Sequence, residues 1–137
     1  MYLSKMNEKR PAMKCYTQKE LQNALKVVSS TIAKCEKIQT KFKEGTPQLS
    51  LLRNRIKALK ISRCLIESEI SIPAYTEEDL EKALPPVISI INKTEKAQSK
   101  YEEGSTQFKR LLPIIDAMHI AKSLLISEMS KRECGEK

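Results

Sequence analysis

Apolar residues recur along this chain in alternating steps of three and four. Leu21, Leu25, Val28, Ile32, Cys35 and Phe42 form one such series, and Leu80, Leu84, Val87, Ile91, Thr94 and Tyr101 form another. That spacing lays one apolar stripe along a helix, so it predicts two long amphipathic helices. Each has a start signal. Tyr16-Thr17-Gln18-Lys19-Glu20-Leu21 reads as an N-cap (Thr17), a capping box closed by Glu20, and a hydrophobic staple of Tyr16 on Leu21. Tyr75-Thr76-Glu77-Glu78-Asp79-Leu80 repeats it with Asp79 in the box position; Asp is shorter and closes a box less well, but three successive acids also favour the positive end of the helix dipole.

The long helices are expected to run as far as Gly45 and Gly104, residues suited to the left-handed conformation that follows a helix. The next helices begin at once, at Thr46-Pro47 and Ser105-Thr106, and extend from about Pro47 to Ile70 and from about Thr106 to Ser130. Links this short make each helix pair an antiparallel hairpin. Ile72-Pro73-Ala74 breaks the first hairpin from the second.

The two hairpins share their text. Shifted by about 59 positions, Tyr16-Thr17, Leu21, Ala24-Leu25, Val28, Ile32, Lys34, Glu36-Lys37, Gln39, Glu44-Gly45, Leu52, Ile56, Ala58, Ile61, Leu65 and Ser68-Glu69 recur without a gap as Tyr75-Thr76 through Ser127-Glu128. The chain therefore divides into a basic arm over 1–15, one domain over 16–133 made of repeats 16–74 and 75–133, and a tail over 134–137. Neither half would bury its apolar face well alone, and 137 residues leave room for one sizeable core. Pro85-Pro86 and Pro113 stand where the first repeat has Lys26-Val27 and Asn54. Because the alignment passes through them, they are expected to bend continuing helices and not to end them.

Composition agrees with helices: charged residues are 31%, aromatics 4%, with three glycines and no tryptophan. No apolar run approaches the roughly 20 residues needed to span a bilayer, and the first residues lack a secretory leader's apolar segment, so the expected compartment is the cytoplasm. Four cysteines lie far apart with no Cys-x-x-Cys pair. Cys35 and Cys64 align with Thr94 and Ser123, which suits small packed side chains, so free thiols are expected. The net charge of +8 is uneven: +3 over 1–15, +6 over 16–74 and −1 over 75–133. Such asymmetry suits an anionic partner or attraction between neighbouring copies.

Candidate chemistry thins out on inspection. His119 is the only histidine, so no two-histidine site arises within one chain. Asp116-x-x-His119 has the spacing of a metal half-site, but the matching positions are Lys57 and Lys60, which repel a cation. There is no phosphate-binding glycine loop and no nucleophile elbow. Glu69 and Glu128 lie near the apolar sides of their helices, with Arg55 or Arg110 as the expected basic neighbour. Gln39 and Gln98 fall within the apolar stripes and suggest a polar layer, structural or ligand-binding, near the hairpin links. Arg53, Lys57, Lys60 and Arg63 share one face of the second helix and can follow a phosphate backbone; a solvated charged face is the plainer account.

The pattern Tyr-Thr-x-x-Glu-Leu, then Lys-x-Glu-Lys-x-Gln-x-Lys-Phe-x-Glu-Gly-Thr, then Leu-Leu-x-x-x-Ile-x-Ala-Leu resembles small bacterial helical proteins grouped as domains of unknown function. The resemblance implies a helical bundle and brings no activity. The expectation is an all-α protein, an antiparallel four-helix bundle made of two tandem, sequence-repeated hairpins. Its expected role is a non-catalytic interaction or scaffold module, with a protein partner or a second copy in a homodimer, and without cofactor, metal or membrane contact. The alternatives are a nucleic-acid-associated protein using the Arg53 to Arg63 stripe, and a carrier of a small ligand near Gln39 and Gln98 or beside Pro85-Pro86.

Overall fold

The structure is a computed structural model that describes residues 16–67 and 75–135. The arm over 1–15, the Ile72-Pro73-Ala74 break, Glu69 and residues 136–137 lie outside the described residues. Four helices account for most of the rest: α1 (Gln18–Gln39), α2 (Pro47–Glu67), α3 (Glu77–Gln98) and α4 (Thr106–Gly135). The described residues hold no strand, and no helix among them is long and apolar enough to cross a membrane.

The helix starts follow from their caps. Thr17 Oγ1 accepts from Glu20 N at 3.0 Å, and Glu20 Oε1 accepts from Thr17 N at 2.8 Å. Thr76 and Asp79 make the same reciprocal pair at 3.0 and 3.1 Å, so the shorter acid closes its box too. Thr46 and Ser105 cap α2 and α4 by accepting from Leu49 N and Phe108 N.

The helix ends differ from expectation. α1 and α3 stop at Gln39 and Gln98, six residues before the glycines. Thr40 Oγ1 donates to Lys37 O, and Ser99 Oγ donates to Lys96 O. The next amides then turn back three residues, Phe42 N to Gln39 O and Tyr101 N to Gln98 O, which tightens the last turn and leaves the helical path. Gly45 and Gly104 do adopt positive φ, 85° and 89°, but inside links that run over 40–46 and 99–105. Phe42 and Tyr101 therefore leave the buried stripe and are 38% and 44% exposed. At the other end α4 continues to Gly135, past Ser130 and into the expected tail.

α3 runs unbroken through Pro85 and Pro86, and α4 through Pro113. A proline offers no N–H, so the carbonyls of Glu81, Lys82 and Lys109 lose their helical donor. All three prolines border surface grooves, where water can serve those carbonyls.

Each helix packs on its neighbours in the order α1, α2, α3, α4 and back to α1. α2 also touches α4 across the middle, whereas α1 and α3 do not meet. Long-range pairs run in opposite senses: Lys60 reaches Glu36 and Arg53 reaches Glu44, so as α2 recedes toward its start its partner advances along the chain. The core is filled by Val28, Leu59, Ile61, Leu80, Val87, Met118 and Leu125, all essentially free of solvent contact. Two polar residues are buried with them. Ser62 Oγ donates to Ala58 O at 2.9 Å, and Glu128 Oε1 lies 4.0 Å from Lys131 Nζ. Lys131 is thus a basic neighbour of Glu128, whereas Arg110 sits 18 positions earlier on the same helix, about 27 Å along its axis.

Candidate interaction site

The four cations of the predicted stripe are drawn to different acids. Arg53 grips Glu44 of the first link with both guanidinium nitrogens, at 2.6 and 3.3 Å. Lys57 turns the other way, to Asp79 on α3 at 3.2 Å. Lys60 pairs with Glu36 on α1 at 3.1 Å. Arg63 is half-buried and its charge acts on Tyr75. Three of the four thus tie α2 to its surroundings, and their charges do not add up to one continuous basic track. These pairs are exposed and individually weak.

The glutamines also separate. Gln98 Nε2 donates to Phe108 O at 3.1 Å, binding the end of α3 to the start of α4. Gln39 is half-buried at the end of α1. Neither borders the grooves described next, so the amides stand as elements of the hairpin links.

Two grooves follow the seams between hairpins. One, of about 660 Å³, lies between α2 and α3; the other, of about 820 Å³, lies between α1 and α4. Positions 59 apart border both: Asn54 and Pro113, Lys57 and Asp116, Ala58 and Ala117, Ile61 and Ile120, Asp79 and Glu20, Ala83 and Ala24, Pro86 and Val27. The shapes correspond, but the charges do not. The α2/α3 groove gathers Arg55, Lys57, Lys82 and Lys93 against Asp79 alone. The α1/α4 groove sets Lys26 and Lys109 against Glu20 and Asp116.

Within the α2/α3 groove the acid is already committed. The Thr76 backbone amide, and then Lys57, hold the Asp79 carboxyl below the usual aspartate range. Lys82 is raised by its hydrogen bond to Glu78 at 2.8 Å. Arg55 is different. It falls three residues after Leu52 and four before Leu59, on the seam of α2 that faces the interior, and it is half-buried. Its counterpart is Ile114, which packs against the core. No carboxylate among the described residues lies within ion-pair range of Arg55. Its charge reaches Cys35, whose thiol is pushed up by burial, with Arg55 acting in the opposite direction. A guanidinium on an inward seam with no carboxylate in range among the described residues opens here into a groove floored by Ala58, Ile61, Ala83 and Pro86, a setting that can receive an anion next to apolar matter.

Arg55 is not among the binding residues that the sequence points to; there it is one of two candidate basic neighbours, with Arg110, for Glu69 and Glu128, and Glu69 lies outside the described residues. The signal is a cation on a three-four apolar seam where the position 59 residues on, Ile114, is apolar. Ion-pair pull explains why the neighbouring stripe looked stronger than it is.

His119 Nε2 is exposed, 3.5 Å from Glu95 Oε2, and Asp116 faces the α1/α4 groove. No group of three or more His, Cys, Asp or Glu is placed to hold a metal ion among the described residues. Cys35 and Cys64 are free thiols, the latter 3.8 Å from the Tyr75 hydroxyl. No protein-family model, curated protein or solved structure matches the chain.

Proposed function

We propose that this chain is a non-catalytic cytoplasmic interaction module: an antiparallel four-helix bundle made by tandem duplication of a helical hairpin, whose α2/α3 groove docks an acidic segment of a partner protein. Support for the duplication comes from α1 and α3, both 22 residues long and starting 59 residues apart, and from the corresponding positions that border the two grooves. Two unpaired thiols suit a reducing compartment. The observation that carries the docking reading is Arg55, half-buried on an apolar seam, open to the groove and without a carboxylate among the described residues. Of the two grooves only this one carries a clear excess of positive charge, so an acidic occupant distinguishes them.

Nucleic acid is the weaker reading. Arg53, Lys57 and Lys60 already hold carboxylates, and a phosphate backbone would have to displace them. A small-ligand carrier needs more enclosure than this open seam provides.

The test is fluorescence anisotropy with a labelled peptide that alternates Glu and Leu, set beside single-stranded DNA of equal charge, across a salt series. The expected result is preference for the peptide, with Arg55→Ile lowering affinity by about tenfold, since truncating one member of a sheltered charge pair costs at least 1.4 kcal/mol. Tighter binding of DNA, lost on Lys57→Glu/Lys60→Glu and indifferent to Arg55→Ile, would replace the docking reading with the nucleic-acid one.

A further inference from the structure

The groove's unmatched cations have unmatched acids elsewhere on the same molecule. In the first link Glu44 is held by Arg53. The second link keeps the acid as Glu103, but the position that corresponds to Arg53 is Leu112, which is 39% exposed. Lys43 of the first link becomes Glu102 in the second. The tip of the second link therefore reads Tyr101-Glu102-Glu103: an exposed aromatic ring followed by two exposed carboxylates with no ion pair among the described residues. Those groups match the α2/α3 groove in kind. Arg55 and Lys93 there have no carboxylate in range among the described residues, and Leu51 beside them is 69% exposed.

From this complementarity we infer that the chain pairs with a second copy of itself, each molecule seating the Tyr101-Glu102-Glu103 tip in the α2/α3 groove of the other. This rests on the docking reading above and names its partner. Tyr101 covers Leu51 and the proline wall, and Glu102 and Glu103 meet Lys93 and Arg55. Within one molecule the tip cannot fold back to do this. Lys93 lies nine residues before Glu102 and faces the groove, while the tip projects beyond the helix end. The tip follows α3 in the second link, and Lys93 of the groove lies toward that end of α3, so a two-fold axis beside α3 that seats one tip in the partner's groove seats the other tip as well. That is the closed, isologous arrangement of most homodimers.

Sedimentation velocity over a concentration series tests the pairing, with Arg55→Glu and Glu102→Lys/Glu103→Lys as charge-reversed proteins. Each reversal puts like charges at both contacts of its own homodimer, so each is expected to weaken association by at least about tenfold. Mixed in equal amounts, they leave one contact with its wild-type charges and restore the charge match at position 55 in the other, so they associate more tightly as a heterodimer than either does alone. Lys93→Glu, at an exposed position, replaces Arg55→Glu if circular dichroism shows that the inward reversal prevents folding. A wild-type chain that stays monomeric up to about 1 mM, or a dimer indifferent to the reversals, overturns the inference. The two readings fail separately: a monomer that still binds the Glu-Leu peptide through Arg55 keeps the groove and loses the second copy, whereas a monomer that binds neither loses both.

Discussion

Leu51 and Leu59 offer a controlled perturbation, because they are the same residue two turns apart on α2 with opposite surroundings. Leu59 has no solvent contact, whereas Leu51 is 69% exposed at the groove edge. Truncating Leu59 to Ala removes three buried carbons, about 2.4 kcal/mol at roughly 0.8 kcal/mol each. If about half of the vacated volume persists as a cavity, on the order of 40 Å³, a further 1 kcal/mol or so is lost. The total of about 3.5 kcal/mol corresponds to a fall in Tm of about 14 °C, taking about 4 °C per kcal/mol for a domain of this size. Leu51→Ala should stay within about 0.5 kcal/mol, or about 2 °C, and should show itself as weaker association. Far-ultraviolet circular dichroism during thermal unfolding reads both variants, and Met118→Ala at the corresponding position of α4 should fall in the range of Leu59→Ala. Equal effects of Leu51→Ala and Leu59→Ala would refute the assignment of the α2 seam. Separate transitions for the two hairpins would refute the shared core.

Three further outcomes follow from local geometry. Thr17→Ala and Thr76→Ala each remove one capping box and should lower stability by about 1 kcal/mol apiece in urea unfolding; an unchanged midpoint would mean the boxes do not stabilise the helix starts. Asp79 has a folded-state pKa below its ordinary value of 3.8, so its contribution is complete above that value and is lost as pH falls through the folded-state pKa. Thermal scans from about pH 5 to about pH 2 should therefore show part of the acid destabilisation disappear in Asp79→Asn, and an identical pH profile would contradict it. Gly45→Ala and Gly104→Ala have open space around the added carbon but positive φ, so each should lower stability by about 1 kcal/mol in urea unfolding, with Asn costing less; a neutral alanine would show that the links relax freely.

The legible part of the fold is the part governed by short range. Capping boxes join residues three apart and a three-four stripe needs only its own helix, so Thr17, Thr76 and the core positions Val28, Ile32, Val87 and Ile91 behave as read, whereas Gly45 and Gly104 take the expected positive φ but within the links and not at the helix ends. The helix ends were less legible. Nothing in the stripe announces that Thr40 and Ser99 turn their hydroxyls onto the preceding carbonyls and release Phe42 and Tyr101 to the surface.

For the candidate site the division is sharper. By itself the sequence determined that the chain is helical, where its helices start, and that residues 16–74 are basic where residues 75–133 are not, since each of these is a property of residues near one another or of their sum. Which charges remain available was decided only in three dimensions. Arg53, Lys57 and Lys60 lie together on one helix, but their acids come from the first link, α3 and α1, 9, 22 and 24 positions away. Arg55, Lys93 and the grooves likewise acquire their roles from the packing of α2 against α3, because ion pairing acts through distance in space and the chain order does not record it.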